Sequence, residues 1–268
     1  MRMVINGVHY HVDIKGEGIP VLLLHGFTGD GSTWEHLLPF LNDYKTIAVD
    51  LLGHGKTDSP GNPLRYRMEQ AVEDLKVLLE KLDITEVYLL GYSMGGRLAI
   101  AFAAAYPDKV KALILESSSP GLKTEAERNQ RTQDDEKLAD MILSQGLSEF
   151  VEYWEGIPLF SSQKRLPAVE QEAIRKSRLA QDPIGLANSL KGMGTGSQPC
   201  YWEELRNLPM GMLYIVGELD RKFCMIAEEM KNRALNASIV KVPGAGHALH
   251  VEEPEKFGTI VREFLKNT

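Results

Sequence analysis

The sequence predicts an α/β fold, with a mostly parallel central sheet flanked by helices and a helical cap inserted at about 120–200. Three observations carry that prediction. Short β-rich runs alternate with helical patterns through the first 116 residues, the signature of βαβ units. From about residue 120 to residue 199 the pattern turns helical and charged, with no buried strand, and is punctuated by Gly146, Pro158, Pro167 and Pro183. The sheet pattern then resumes and runs to a closing helix.

In chain order, Val4, Gly7, Val8, Tyr10 and Val12 alternate with polar residues as an N-terminal hairpin would. Strands follow near 21–24, 46–49, 87–90 and 112–115. Between them, Val72, Leu75, Leu78, Leu79 and Leu82 recur at helical spacing within 68–82, so one face of that helix covers the sheet. An Ala-rich helix spans 98–105. After the helical stretch come strands at 212–216 and 239–242, and a helix from about 254 to 265. These boundaries divide the chain into a core in two parts, 1–119 and 201–268, with a cap at 120–200. No internal repeat or low-complexity tract is present.

Composition narrows the function. With 30 Lys plus Arg against 37 Asp plus Glu, the formal charge of −7 argues against a nucleic acid or an anionic membrane as partner. A small anionic substrate remains compatible, because a pocket can be positive on an acidic protein. The apolar runs 21–24 and 112–115 are far shorter than a membrane span, and the N-terminus carries no basic-then-apolar signal segment. Cys200 and Cys224 are too few for a disulfide framework and form no metal-like cluster, which predicts a reducing, cytoplasmic home. No ligand cluster or phosphate-binding glycine fingerprint appears, so no cofactor is expected. Oligomeric state leaves no mark on the pattern.

The chemistry centres on Gly91-Tyr92-Ser93-Met94-Gly95-Gly96, directly after the apolar strand at 87–90 and before the Ala-rich helix. A serine on so sharp a turn projects its hydroxyl from the sheet, and small residues on either side relieve the crowding. In the bland reading the serine merely caps the helix. A hydroxyl needs an imidazole to take its proton, and Asp220 and His247 follow in the chain order that this turn calls for. Each lies in a loop after a strand, in Gly217-Glu218-Leu219-Asp220 and Gly244-Ala245-Gly246-His247, where open α/β sheets place their sites. Glu218 and Asp58 are the alternative acids. His250 is the alternative base, better suited to packing or hydrogen bonding. Upstream, Leu24-His25-Gly26-Phe27-Thr28-Gly29 follows the first core strand, so the backbone N–H groups of Phe27 and Met94 are the expected oxyanion donors. Asp50-Leu51-Leu52-Gly53-His54-Gly55 is expected to be a structural loop whose His54 approaches the site at most.

Over nearly its whole length the chain resembles the α/β-hydrolase superfamily. Five runs are similar to those of the 2-succinyl-6-hydroxy-2,4-cyclohexadiene-1-carboxylate synthase family of menaquinone (vitamin K2) biosynthesis. They are 91–97 with Arg97 directly after the turn, Glu116-Ser117-Ser118-Ser119-Pro120-Gly121-Leu122, Gly194-Thr195-Gly196 with Trp202 nearby, Gly217-Glu218-Leu219-Asp220-Arg221-Lys222-Phe223, and His247-Ala248-Leu249-His250-Val251-Glu252. Arg97 and the cap pattern are more specific than the general serine-hydrolase motifs. The wording around Asp220 departs from the commonest family forms, which leaves Arg221 as a surface residue.

The resemblance implies a lyase that eliminates pyruvate, with the triad serine acting as a base. It also implies that the substrate carboxylates meet arginines, which at the matching positions are Arg97, Arg131 and Arg178, and that Tyr92 and Trp154 line the pocket. Residues 121–199 hold 10 Lys plus Arg and 12 Asp plus Glu, so no bulk basic patch adds to that expectation. Two other outcomes use the same residues. A serine-dependent ester, thioester or carbon–carbon bond hydrolase passes through an acyl-enzyme, and a small-molecule receptor on this fold only holds its ligand.

Overall fold

The computed structural model describes residues 1–268. Eight strands form one sheet: β1 (Arg2–Ile5), β2 (Val8–Lys15), β3 (Ile19–Leu24), β4 (Tyr44–Val49), β5 (Val87–Tyr92), β6 (Val110–Glu116), β7 (Gly211–Gly217) and β8 (Ala237–Val242). Their spatial order is β1-β2-β4-β3-β5-β6-β7-β8. The hairpin β1–β2 and its junction with β4 are antiparallel, and every other pairing is parallel.

The parallel strands are near-continuous apolar runs because both their faces are covered. Alternate residues go to opposite sides: Leu22, Leu24 and Leu89 enter one core, whereas Val21, Leu23, Tyr88 and Leu90 enter the other. Helices α1 (Met68–Lys81) and α2 (Met94–Ala105) cover the first face. Val72, Leu75, Leu78 and Leu79 are buried there, as their spacing predicts. Trp34, Leu37 and Leu41 cover the second face, together with the closing helix, which spans Pro254–Lys266.

Helix α2 starts four residues before the predicted 98, because Gly95 and Gly96 are helical rather than part of the turn. A Cβ on Gly95 would strike the Leu24 carbonyl, so glycine is what lets α2 lie against β3. Between β6 and β7 come α3 (Glu125–Gln145), α4 (Leu147–Gly156), α5 (Ala168–Leu179) and α6 (Pro183–Met193). Their own core is small, built on Ala139, Ile142, Phe150, Val151, Trp154, Phe160 and α6 residues. Phe27, at the end of β3, packs against both this cluster and the sheet core. Helix α7 (Arg221–Arg233) follows β7, and the chain ends through α8 (Leu249–Glu252) and α9 (Pro254–Lys266). No helix is long and apolar enough to cross a membrane.

Candidate active site

Ser93 stands between β5 and α2 with φ 50° and ψ −104°, a backbone conformation that non-glycine residues rarely hold. Such strain persists only where the surroundings over-determine it. Here the Ser93 N–H donates to the Glu116 carbonyl at 2.9 Å, and the first turn of α2 closes through Arg97 N–H to Ser93 O at 3.0 Å.

His247 and Asp220 complete a relay. Asp220 Oδ2 accepts from His247 Nδ1 at 2.6 Å, and His247 Nε2 faces Ser93 Oγ at 3.1 Å. Asp220 is also the N-cap of α7, its other oxygen accepting from Phe223 N–H at 3.3 Å. With Nδ1–H given to the carboxylate, Nε2 is left as the acceptor that the serine hydroxyl needs. Tyr92, Phe223 and Phe160 surround the imidazole, with ring centroids 5.5, 4.7 and 6.1 Å away.

The alternatives take other places. Glu218 is exposed and accepts from Gly244 N–H, while Asp58 pairs with Arg2 and His9. His250 bonds Glu116 instead of Ser93. His54 is buried between His25 and Phe27, its ring centroid 5.8 Å from the Phe27 ring, and burial pushes its pKa down to about 3.

A cleft of about 410 Å³ opens over Ser93 and His247, walled by Phe27, Tyr92, Trp154 and Phe160. Neither the Phe27 nor the Met94 backbone N–H donates to a protein acceptor, and both residues line this cleft with Ser93. The indole N–H of Trp154 is buried without a partner. A larger cavity of about 620 Å³ lies between α4 and α5, away from the serine, and mixes Glu152, Glu155 and Glu172 with Arg175 and Arg178.

Arg97 reaches the cleft from α2. Its Nη1 donates to the Met193 carbonyl at 2.8 Å and to Gln198 Oε1 at 2.9 Å, and no carboxylate pairs with it. Burial, reinforced by the nearby Arg131, lowers its pKa to about 10, so it stays charged at neutral pH. Arg131, on α3, lines the same cleft and donates through Nε to Asp135 Oδ1 at 2.8 Å.

This arrangement, a strained serine with its imidazole and acid at three strand ends, is the signature of one fold family, and the α/β hydrolase fold family matches residues 19–254. The chain belongs to that family. Its relatives place it further, in the 2-succinyl-6-hydroxy-2,4-cyclohexadiene-1-carboxylate synthase family. A Bacillus subtilis (strain 168) protein provisionally named as that synthase is 50% identical over 262 residues, covering 97% of this chain and 96% of its own. The synthase of Photorhabdus laumondii is 32% identical over 244 residues, covering 90% and 84%. Among solved structures, MenH from S. aureus superposes with a TM-score of 0.92 at 35% identity, covering 96% of this chain and 98% of its own.

Against the expectation drawn from the synthase family, Arg178 does not line the Ser93 cleft. It opens on two adjoining cavities across Tyr92 and Phe160, stacked over the Phe160 ring at 5.0 Å and held by Glu155 and Gln163 at 3.3 and 3.2 Å. Three further residues of the cleft, Phe160, Phe223 and Asp135, and Gln198 behind Arg97 carry no role in the sequence pattern. Phe160 and Phe223 flank the imidazole, Asp135 holds Arg131, and Gln198 holds Arg97. Phe223 stands in the Asp220 motif itself, and Asp135 follows Arg131 by one helical turn, so both carried a signal.

Proposed function

We propose that the chain eliminates pyruvate from 2-succinyl-5-enolpyruvyl-6-hydroxy-3-cyclohexene-1-carboxylate, giving 2-succinyl-6-hydroxy-2,4-cyclohexadiene-1-carboxylate in menaquinone biosynthesis, with Ser93 as the base. The observation that carries this reading is the 3.1 Å approach of His247 Nε2 to Ser93 Oγ inside a cleft that also contains Arg97 and Arg131. The relatives, named as synthases of that same product, support this reaction.

The chemistry follows from the two ring names. Ser93 Oγ takes the proton from the ring carbon beside the succinyl ketone while passing its own to His247, and Asp220 stabilises the imidazolium. The electron pair moves onto the ketone oxygen, where the Phe27 and Met94 N–H groups receive the negative charge. Its return forms the 2,3 double bond, shifts the ring double bond to 4,5 and expels the enolpyruvyl oxygen with its electron pair. The imidazolium gives its proton to the departing enolpyruvate oxygen, which returns His247 to the neutral base beside the Ser93 hydroxyl, and the released enol becomes pyruvate.

Arg97 and Arg131 bind substrate carboxylates in this reading, and a bound carboxylate competes with Asp135 for Arg131. Tyr92 and Trp154 shape the cleft, and the unpartnered Trp154 N–H is a donor for a substrate oxygen. Arg178 serves a carboxylate that extends past Tyr92. The substrate is a small anion and no cofactor takes part. The free Cys200 and Cys224 are compatible with a reducing cytoplasm.

The test is pyruvate release from the enolpyruvyl substrate by the purified protein, with rapid-quench intact-protein mass spectrometry alongside. Stoichiometric pyruvate without a serine adduct is expected. A substrate-derived acyl mass on Ser93 that forms and decays at the turnover rate would replace the lyase with a hydrolase.

A further inference from the structure

Glu116, the last residue of β6, is fully buried and carries three bonds that meet at the site. Its carbonyl accepts the Ser93 N–H at 2.9 Å. Its carboxylate accepts the His250 backbone N–H at 3.1 Å and faces His250 Nδ1 at 2.9 Å from both oxygens. His250 lies three residues beyond His247, so the contacts close a ring: Ser93 main chain, Glu116, His250, His247 and back to Ser93 Oγ. The Tyr92 ring fills the space between, 4.6 Å from His250 and 5.5 Å from His247. Trp34 and Phe257 shut His250 in from behind, at 5.2 and 6.2 Å.

A buried carboxylate–imidazole contact is a poor way to gain stability, because desolvation offsets much of the attraction and an apolar replacement often does as well or better. What such a pair does supply is register. The loops bearing Asp220 and His247 are already tied to each other, through Leu219 N–H to the Ala245 carbonyl at 2.9 Å and Glu218 N–H to the Val242 carbonyl at 3.0 Å. The β6–β7 ladder joins this unit to β6 through the main chain, and the Glu116 carboxylate adds a direct tie from the strand end that anchors the serine to the segment just after His247.

We infer that Glu116 and His250 form a positioning pair, setting the reach of the His247 imidazole to Ser93. This rests on the reading of Ser93 and His247 as the acid–base pair. Displacing such a group by about 1 Å costs on the order of 100-fold in rate.

The test uses Glu116→Ala and Glu116→Gln, with two rates measured on each. One is turnover of the enolpyruvyl substrate. The other is labelling of Ser93 by a fluorophosphonate, in which the Oγ–P bond forms, the P–F bond breaks and His247 takes the hydroxyl proton. We expect both rates to fall about 100-fold in the Ala variant with KM within about twofold. Gln keeps one acceptor for His250 and brings the rates back to about 10-fold below wild type. The low-field proton resonance of the His247–Asp220 bond persists in both variants, since that pair is held separately. Should the Ala variant fail to fold, the Gln variant decides by the same two rates. Unchanged labelling and kcat in a folded variant overturn the inference, as does loss of the His247–Asp220 resonance, which marks a general collapse. If wild type labels readily and the variants follow the stated order without any pyruvate release, the positioning pair stands and the substrate reading falls.

Discussion

Ser93, Asp220 and His247 follow the ends of β5, β7 and β8, whereas Arg131, Trp154 and Arg178 come from α3, α4 and α5 of the insertion. The two groups of residues are held differently. On the sheet, neighbouring strands satisfy the backbone, and cores of 40 and 21 buried residues pin the two faces. The cluster within the insertion has nine. Its cations are held by acids instead: Asp135 for Arg131, and Glu155 for Arg175 and Arg178. In the reaction proposed above, proton transfer needs placement to within a fraction of an ångström, as a sheet can provide, whereas anion binding tolerates a partner that is exchanged, as the acid-paired arginines of the insertion would require.

The comparison breaks most sharply at the relay. Ser93→Ala and His247→Ala are each expected to lower kcat by on the order of 10³-fold or more, and the double variant to lose little beyond either single one. Pyruvate release measured across this cycle is the check. Additive losses would mean that the two residues act independently and that the sheet does not present them as one unit.

The same contrast explains which parts of the molecule are legible in its sequence. Apolar runs followed by Gly-rich turns mark strand ends, so the positions of Ser93, Asp220 and His247 are local facts of the chain. Arg178 could not be placed that way. Whether a helical arginine faces a given cavity depends on how α5 lies on the sheet, and α5 buries little besides that arginine. The link from Glu116 to His250 spans 134 positions and follows no period, so the contact is not legible in the chain even though both residues stand in runs with visible motifs. The start of α2 was misplaced because glycine lowers helix propensity, whereas close packing against β3 demanded it.

Arg97 and Arg131 sharpen the comparison, since both line the cleft, one from the core helix α2 and one from α3. Arg97 is buried without an acid, so Arg97→Ala should cost about 2–5 kcal/mol in kcat/KM once a substrate carboxylate is left unpaired. The Arg131 side chain is 38% exposed and already bonded to Asp135, so Arg131→Ala should cost nearer ~1 kcal/mol. Steady-state kinetics with the enolpyruvyl substrate measures both. Equal losses would show that the insertion grips its ligand as firmly as the core does.

Acid should attack the core before the insertion. His54 has a pKa of about 3 against an ordinary 6.5, and burial lowers His25 as well. Between those values the unfolded chain binds a proton that the folded protein excludes, so stability is complete above about 6.5 and declines as pH falls toward about 3. The slope is up to ~1.4 kcal/mol per pH unit for such a group. Denaturant unfolding at a series of pH values should show this decline and show it reduced in His54→Phe. An unaltered slope in that variant would place the acid-sensitive groups elsewhere.

The smallest effect should come from the start of α3. Thr124 caps that helix, its Oγ1 accepting the Glu127 N–H at 3.2 Å while the Glu127 carboxylate accepts the Thr124 N–H at 2.9 Å. Over its 21 residues α3 buries only Asp135, Ala139 and Ile142, so its first turns, which lead to Arg131, depend on the cap together with Arg128, whose Nη1 donates to the Leu122 carbonyl at 3.1 Å. Thr124→Ala should therefore weaken the helix end by about 1 kcal/mol. Hydrogen exchange should speed up in the first turns of α3 and stay unchanged in β5 and β6, because the openings are local. A loosened Arg131 weakens substrate binding without moving Ser93 or His247, so KM should rise a few-fold, consistent with ~1 kcal/mol, while kcat holds. If kcat fell instead and KM stayed constant, the insertion would be acting in proton transfer, and the division of labour between sheet and insertion would fail.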